Sequence, residues 1–154
     1  MNLLDHLTIK LDKNSYECNV NQELKVDPNN MNEEFERQAG KFAWWGTLME
    51  LARNDYLKKR QQRKETEASE YAELRKLFEK DGKRVTEKQL ETKVTLSPKV
   101  KACVIAEIEA QKQANILAVI TEAFRQRKDM LVSLGSNLRT EMKDVKVLKE
   151  QGLE

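Results

Sequence analysis

Lys58-Lys59-Arg60-Gln61-Gln62-Arg63-Lys64 sets five cations in seven residues with no acid among them. The chemistry open to such a run is ionic: it can hold phosphates by charge and by release of condensed counterions, without reading base sequence. Acids at ordinary ion-pair spacing begin only at Glu65, and a second group, Arg75, Lys76, Lys80, Lys83 and Arg84, follows toward a glycine. The competing reading is a solvated helix face that keeps a coiled coil soluble. A basic segment held on a rigid helix too polar to bury itself favours a surface presented to a partner, and single-stranded nucleic acid is the polyanion it suits.

Other chemistry lacks its residues. Glycines stand singly at 40, 46, 82, 135 and 152, so neither a phosphate-binding loop nor a dinucleotide fingerprint can be assembled. With His6 the one histidine, a zinc site and a histidine-based triad both lack their ligands. Glu65, Glu67, Glu70 and Glu73 lie among lysines and arginines at helix-neighbour spacings, where surface ion pairs explain them. Cys103 reads as a small core residue on an apolar face, and Cys18 and Cys103, far apart and unpaired in spacing, read as free thiols of a reducing compartment. No catalytic residue, metal or cofactor is assigned.

The net charge of +2 is too small to announce a nucleic-acid binder, so its distribution has to argue. Met1 to Glu34 holds seven acidic residues against three basic, while Lys58 to Arg84 holds ten basic against six acidic. Hydrophobic residues at 39%, charged residues at 35% and only two prolines describe long exposed helices rather than a dense globule, and helices of that kind cover their apolar stripes by self-association. The opening Met-Asn-Leu-Leu-Asp-His is acidic where a signal peptide is positive, and no apolar run nears the roughly 20 residues that cross a bilayer. These features point to a soluble protein of the cytoplasm with no membrane partner.

The elements that must position the cations are helices. Residues 1–30 form an N-terminal arm in which Leu7-Thr8-Ile9-Lys10-Leu11 alternates like a strand but has nothing obvious to pair with; it is either ordered on a partner or disordered, and disorder is favoured. Asp27-Pro28 starts a helix. Its stripe of Phe35, Phe42, Trp45, Met49, Ala52 and Tyr56 predicts a seam that continues through the polar segment to about Lys80, on the order of 75 Å, unless the helix breaks there. Trp45 is expected in the core and Trp44 against a neighbouring chain. Gly82 reverses the chain, Thr86-Glu87-Lys88-Gln89 fits a capping box for a short helix, and Ser97-Pro98 caps a second long one. That helix carries Cys103, Ala106, Ala110, Ala114, Leu117, Thr121, Phe124 and Leu131 near heptad spacing and is expected to stop at Gly135, before a charged tail over 136–154. The expected fold is all-α: a long antiparallel hairpin over 31–135 with a short connecting helix, oligomerising through apolar faces.

Lys25-Val26-Asp27-Pro28, the step Phe42-Ala43-Trp44-Trp45, the basic helix after it, the glycine turn and the closing Arg125-Gln126-Arg127-Lys128-Asp129-Met130-Leu131 together give a chain that resembles the UvsY-type recombination mediators of tailed phages over about residues 24–135. The resemblance implies a homo-oligomer that binds single-stranded DNA, contacts a strand-exchange recombinase and the single-strand-binding protein, and helps the first displace the second without catalysis. Family contacts to DNA precede the hairpin turn, which leaves two groups open here: Lys58, Lys59, Arg60, Arg63 and Lys64, or Arg75, Lys76, Lys83 and Arg84. A structural coiled-coil or assembly protein, scaffold or chaperone-like, is the alternative.

Overall fold

A computed structural model of the chain describes residues 3–11, 14–82 and 84–150. It is mostly helical, with a long helix pair and a small sheet. Strands β1 (Leu7–Leu11) and β2 (Asn14–Cys18) pair as a two-stranded sheet, followed by a five-residue helix α1 (Val20–Leu24). A short 3-10 turn at Pro28–Asn30 leads into α2 (Met31–Lys80); α3 (Glu87–Leu96) and α4 (Pro98–Glu150) complete the fold.

The helix boundaries follow from local chemistry. Asp27 caps the 3-10 turn by accepting from the Asn29 backbone N–H at 2.9 Å, and Pro28 supplies the fixed φ of a first turn. Gly82 takes a φ of +64°, the left-handed geometry that ends α2. Thr86 and Gln89 satisfy each other's backbone donors at the start of α3, as the capping box requires. Between these points α2 runs unbroken through the polar segment 58–67, whose residues, Thr66 apart, are good helix formers.

Three expectations are corrected. The fold is not all-α: Leu7, Ile9 and Leu11 are buried along one face of β1, and their pairing strand is β2, an Asn-Ser-Tyr-Glu-Cys segment too polar to advertise itself. Ser97 does not cap α4 with its side chain; the hydroxyl donates to Glu70 Oε2 at 2.7 Å, while its carbonyl starts the helix ladder by accepting from the Lys101 N–H. Gly135 does not stop α4, which continues to Glu150. The glycine serves a close approach instead, since a Cβ there would lie 3.2 Å from Phe35 Cζ.

The chain divides into two compact units. The first takes Ser15–Leu48, the chain from Leu117 onward and the start of β1; the second takes Met49–Ile116 with Lys10, Leu11 and Asn14. In the first, Trp45 and Phe124 are fully buried and stack at 5.7 Å between ring centroids, with Val20, Leu48, Leu117, Ile120 and Leu131 buried too. Burial of one such aromatic is worth about 3 kcal/mol. In the second, no aromatic is buried among the described residues, and the buried side chains are Leu11, Ala52, Leu90, Val94, Ser97, Val100 and Ala110.

Candidate nucleic-acid interface

The basic segment lies within the second unit, on the part of α2 whose inward face is polar. Between Lys59 and Glu70 the half-buried positions are Lys59, Arg63, Thr66, Glu67 and Glu70, at the three- and four-residue spacing of a helix seam but with no apolar side chain. What joins α2 to α4 here is charge and hydrogen bonding. Arg63 Nε lies 2.6 Å from Glu107 Oε2, and Arg63 Nη1 lies 3.4 Å from Glu67. Thr66 Oγ1 and Cys103 Sγ are 3.5 Å apart. Glu70 accepts from Lys99 Nζ at 2.6 Å and from Ser97, and these bonds hold its carboxyl below the usual range.

This geometry sorts the predicted cations. Lys58, Arg60 and Lys64 are exposed and Lys59 is half-buried, and none of the four has an ion-pair partner among the described residues. Arg63 belongs to the seam and is neutralised there. Of the second group, Arg75 is paired with Glu79 at 3.3 Å and reaches Glu87 at 3.9 Å, Lys76 and Arg84 are exposed, and Lys83 lies outside the described residues. Lys93, not singled out from the sequence, sits 5.1 Å above the Phe78 ring.

Nor do the free cations form one stripe. Successive helix residues turn about 100°, so Arg60 and Lys64 share a flank of α2 while Lys58 points well away from it. Lys76, five turns on, returns to the azimuth of Lys58. Arg53, which the sequence reading missed, lines up with Arg60 and Lys64 at intervals of seven and four, with the exposed Leu57 between them. Its one acid, Glu50, is 4.0 Å away. The signal was available: a cation one heptad before Arg60.

The predicted core and oligomerisation residues divide as well. Trp45, Leu117, Phe124 and Leu131 are buried, Met49 and Tyr56 are half-buried, and Phe42 and Trp44 are exposed at 41% and 42%. Trp44 meets Trp45 edge-on at 4.8 Å and Tyr16 of β2 at 6.4 Å, so part of its surface is covered from within the chain.

The most densely bonded polar residue is in the first unit. Arg127, its side chain 1% exposed, donates from Nε to the Leu24 carbonyl (3.2 Å), from Nη2 to the Lys25 carbonyl (3.0 Å) and the Glu34 carboxylate, and from Nη1 to Gln38 Oε1 (2.6 Å). Gln38 in turn donates to the Phe124 carbonyl at 2.6 Å. Lys41 Nζ donates to the Glu23 carbonyl at 2.9 Å, so three successive carbonyls at the end of α1 are met by cations from α2 and α4. Burial works to raise the Glu34 carboxyl, but the hydrogen bonds from Arg127 and the Asp27 backbone, with the charges of Arg127 and Lys41, outweigh it and leave the group below its ordinary value.

Chemically, the exposed cations of α2 can hold a polyanion. The open depression near Arg127, lined by Glu23, Lys25, Asp27, Glu34, Arg37 and Lys41, has Glu34 committed to Arg127 and Arg37 paired with Glu33. Among the described residues no group of three His, Cys, Asp or Glu side chains is placed to hold a metal ion, and no helix is long and apolar enough to cross a membrane. Comparison with protein-family models, curated proteins and solved structures finds no match for this chain.

Proposed function

We propose that the chain is a recombination mediator: a homo-oligomer that holds single-stranded DNA electrostatically and delivers it to a strand-exchange recombinase in place of the single-strand-binding protein. The observation that carries the reading is the uncompensated charge on α2. Its residues 58–80 hold eight lysines and arginines against five glutamates, although the whole chain has a net charge of only +2. Lys58, Arg60, Lys64 and Lys76 stand on that stretch exposed and without acidic partners, which is what counterion-release binding uses. The likeness to UvsY-type mediators supports the same reading. Oligomerisation is supported by large apolar side chains left exposed on α4, among them Ile105, Ile108, Val119 and Met142 at 57–72%.

Labelled oligothymidylate titrated across a salt series tests this. Affinity should fall as a power of salt concentration, with a slope of about −0.7 for each phosphate neutralised on a single strand. Replacing Lys58, Lys59, Arg60 and Lys64 together with alanine should flatten that slope at unchanged helicity. Native mass measurement with and without the oligonucleotide reports subunit number, and strand exchange on strands coated by single-strand-binding protein reports mediation. No complex at low salt would leave the exposed apolar faces as the functional surface and favour a structural assembly protein.

A further inference from the structure

Resting on that reading, the seam of the second unit points to how tightly the site holds a strand. Arg63 belongs to the same basic run as Arg60 and Lys64, yet its guanidinium is turned toward α4. Glu107, whose side chain is 14% exposed, lies 2.6 Å from Arg63 Nε, but off the line of the Nε–H, which finds no aligned hydrogen-bond acceptor. The contact is one of charge. Arg63 itself keeps 30% of its side chain accessible, and its other acid, Glu67 at 3.4 Å from Nη1, is more exposed than Glu107, 38% against 14%, and so holds the guanidinium more weakly. Its half-buried neighbours on α2, Lys59, Thr66 and Glu67, are all polar.

We propose that Glu107 turns the site down: its carboxylate cancels the charge of Arg63, so the protein presents Arg60 and Lys64 to a strand while Arg63 stays paired. A carrier that must give its strand up benefits from a cation withheld in this way. Removing the carboxylate charge adds one phosphate-binding cation to the row without adding a residue.

The experiment compares oligothymidylate binding by the full chain and by Glu107→Gln, Arg63→Ala and the double variant across a salt series. Glu107→Gln should bind several-fold more tightly, with a slope steeper by about 0.7. Arg63→Ala should stay close to the unaltered protein, and Glu107→Gln should give no gain in the Arg63→Ala background. A gain that persists in that background would mean that losing any nearby acid suffices, and would overturn the proposal; so would binding by Glu107→Gln equal to that of the unaltered protein. Should Glu107→Gln lose helicity, the unaltered protein still decides, because the Arg63 Nε resonance should hold its shift on adding oligonucleotide while that of Arg60 moves, and Arg63 moving with Arg60 refutes the pairing. If neither the unaltered chain nor any variant binds, the mediator reading falls with this one; if the unaltered chain binds and Glu107→Gln brings no gain, only this inference falls.

Discussion

The two units close the same pair of helices by opposite means. In the first, Trp45 stacks on Phe124 in a dry aromatic core and a buried guanidinium satisfies every group it meets. In the second, α2 and α4 approach through Arg63–Glu107, Thr66–Cys103 and Lys99–Glu70, with alanine and valine as the buried apolar residues on the two helices. Apolar burial is non-directional and strong per residue, whereas partly exposed ion pairs contribute little net stability. The comparison teaches where the molecule can spare cations: the helix that carries the candidate interface is held by few side chains, and most of the basic ones are left over.

The largest expected difference is in the first unit. Phe124→Ala should cost about 3–5 kcal/mol in chemical denaturation, because it removes the partner of a fully buried indole. Arg127→Met should cost about 2–3 kcal/mol, since it leaves the buried Gln38 side chain, the part-buried Glu34 carboxylate and two carbonyls without their donor. An equal loss from Arg63→Met in the second unit would break the comparison; the expected cost there is about 1 kcal/mol or less, measured the same way.

Acid titration sharpens the contrast. Glu34 is held below the ordinary carboxylate value of 4.5, so its contribution is complete above that value and disappears as pH falls through the lower folded value. Thermal unfolding followed from neutral pH down to about pH 3 should show a loss that Arg127→Met reduces by the share of Glu34, leaving that of Glu70 and Glu122, which are also held below the ordinary value. A small and local effect belongs to the capping box: Thr86→Ala should cost about 1 kcal/mol and leave strand binding untouched, as read by melting temperature and anisotropy together.

Much of this fold was written in local signals. The capping pair Thr86 and Gln89 and the turn at Gly82 act through close neighbours, and Leu117, Phe124 and Leu131 show themselves by their seven-residue spacing, so a sequence reading reaches them. What it missed depends on distant partners. β2 has no apolar alternation, and only the cover over Leu7, Ile9 and Leu11 makes it a strand. Gly135 resembles a helix stop until Phe35, a hundred residues earlier, is laid against it. Of the candidate interface, the basic run was legible but its azimuths were underused: Arg63 falls on the seam and Arg53 on the free row, both from spacing alone. Arg127 was visible as a polar residue between Phe124 and Leu131, though its partners were not.

Consider what the Arg127 guanidinium checks. Its acceptors come from the end of α1, from the first turns of α2 and, through Gln38, from the backbone of α4 itself. Sliding α2 by one residue along α4 would carry Glu34 and Gln38 out of reach at once, whereas an oily contact tolerates such slippage. One side chain thereby acts as an alignment pin, tying the seat of the amino-terminal segment to the phase of the two long helices.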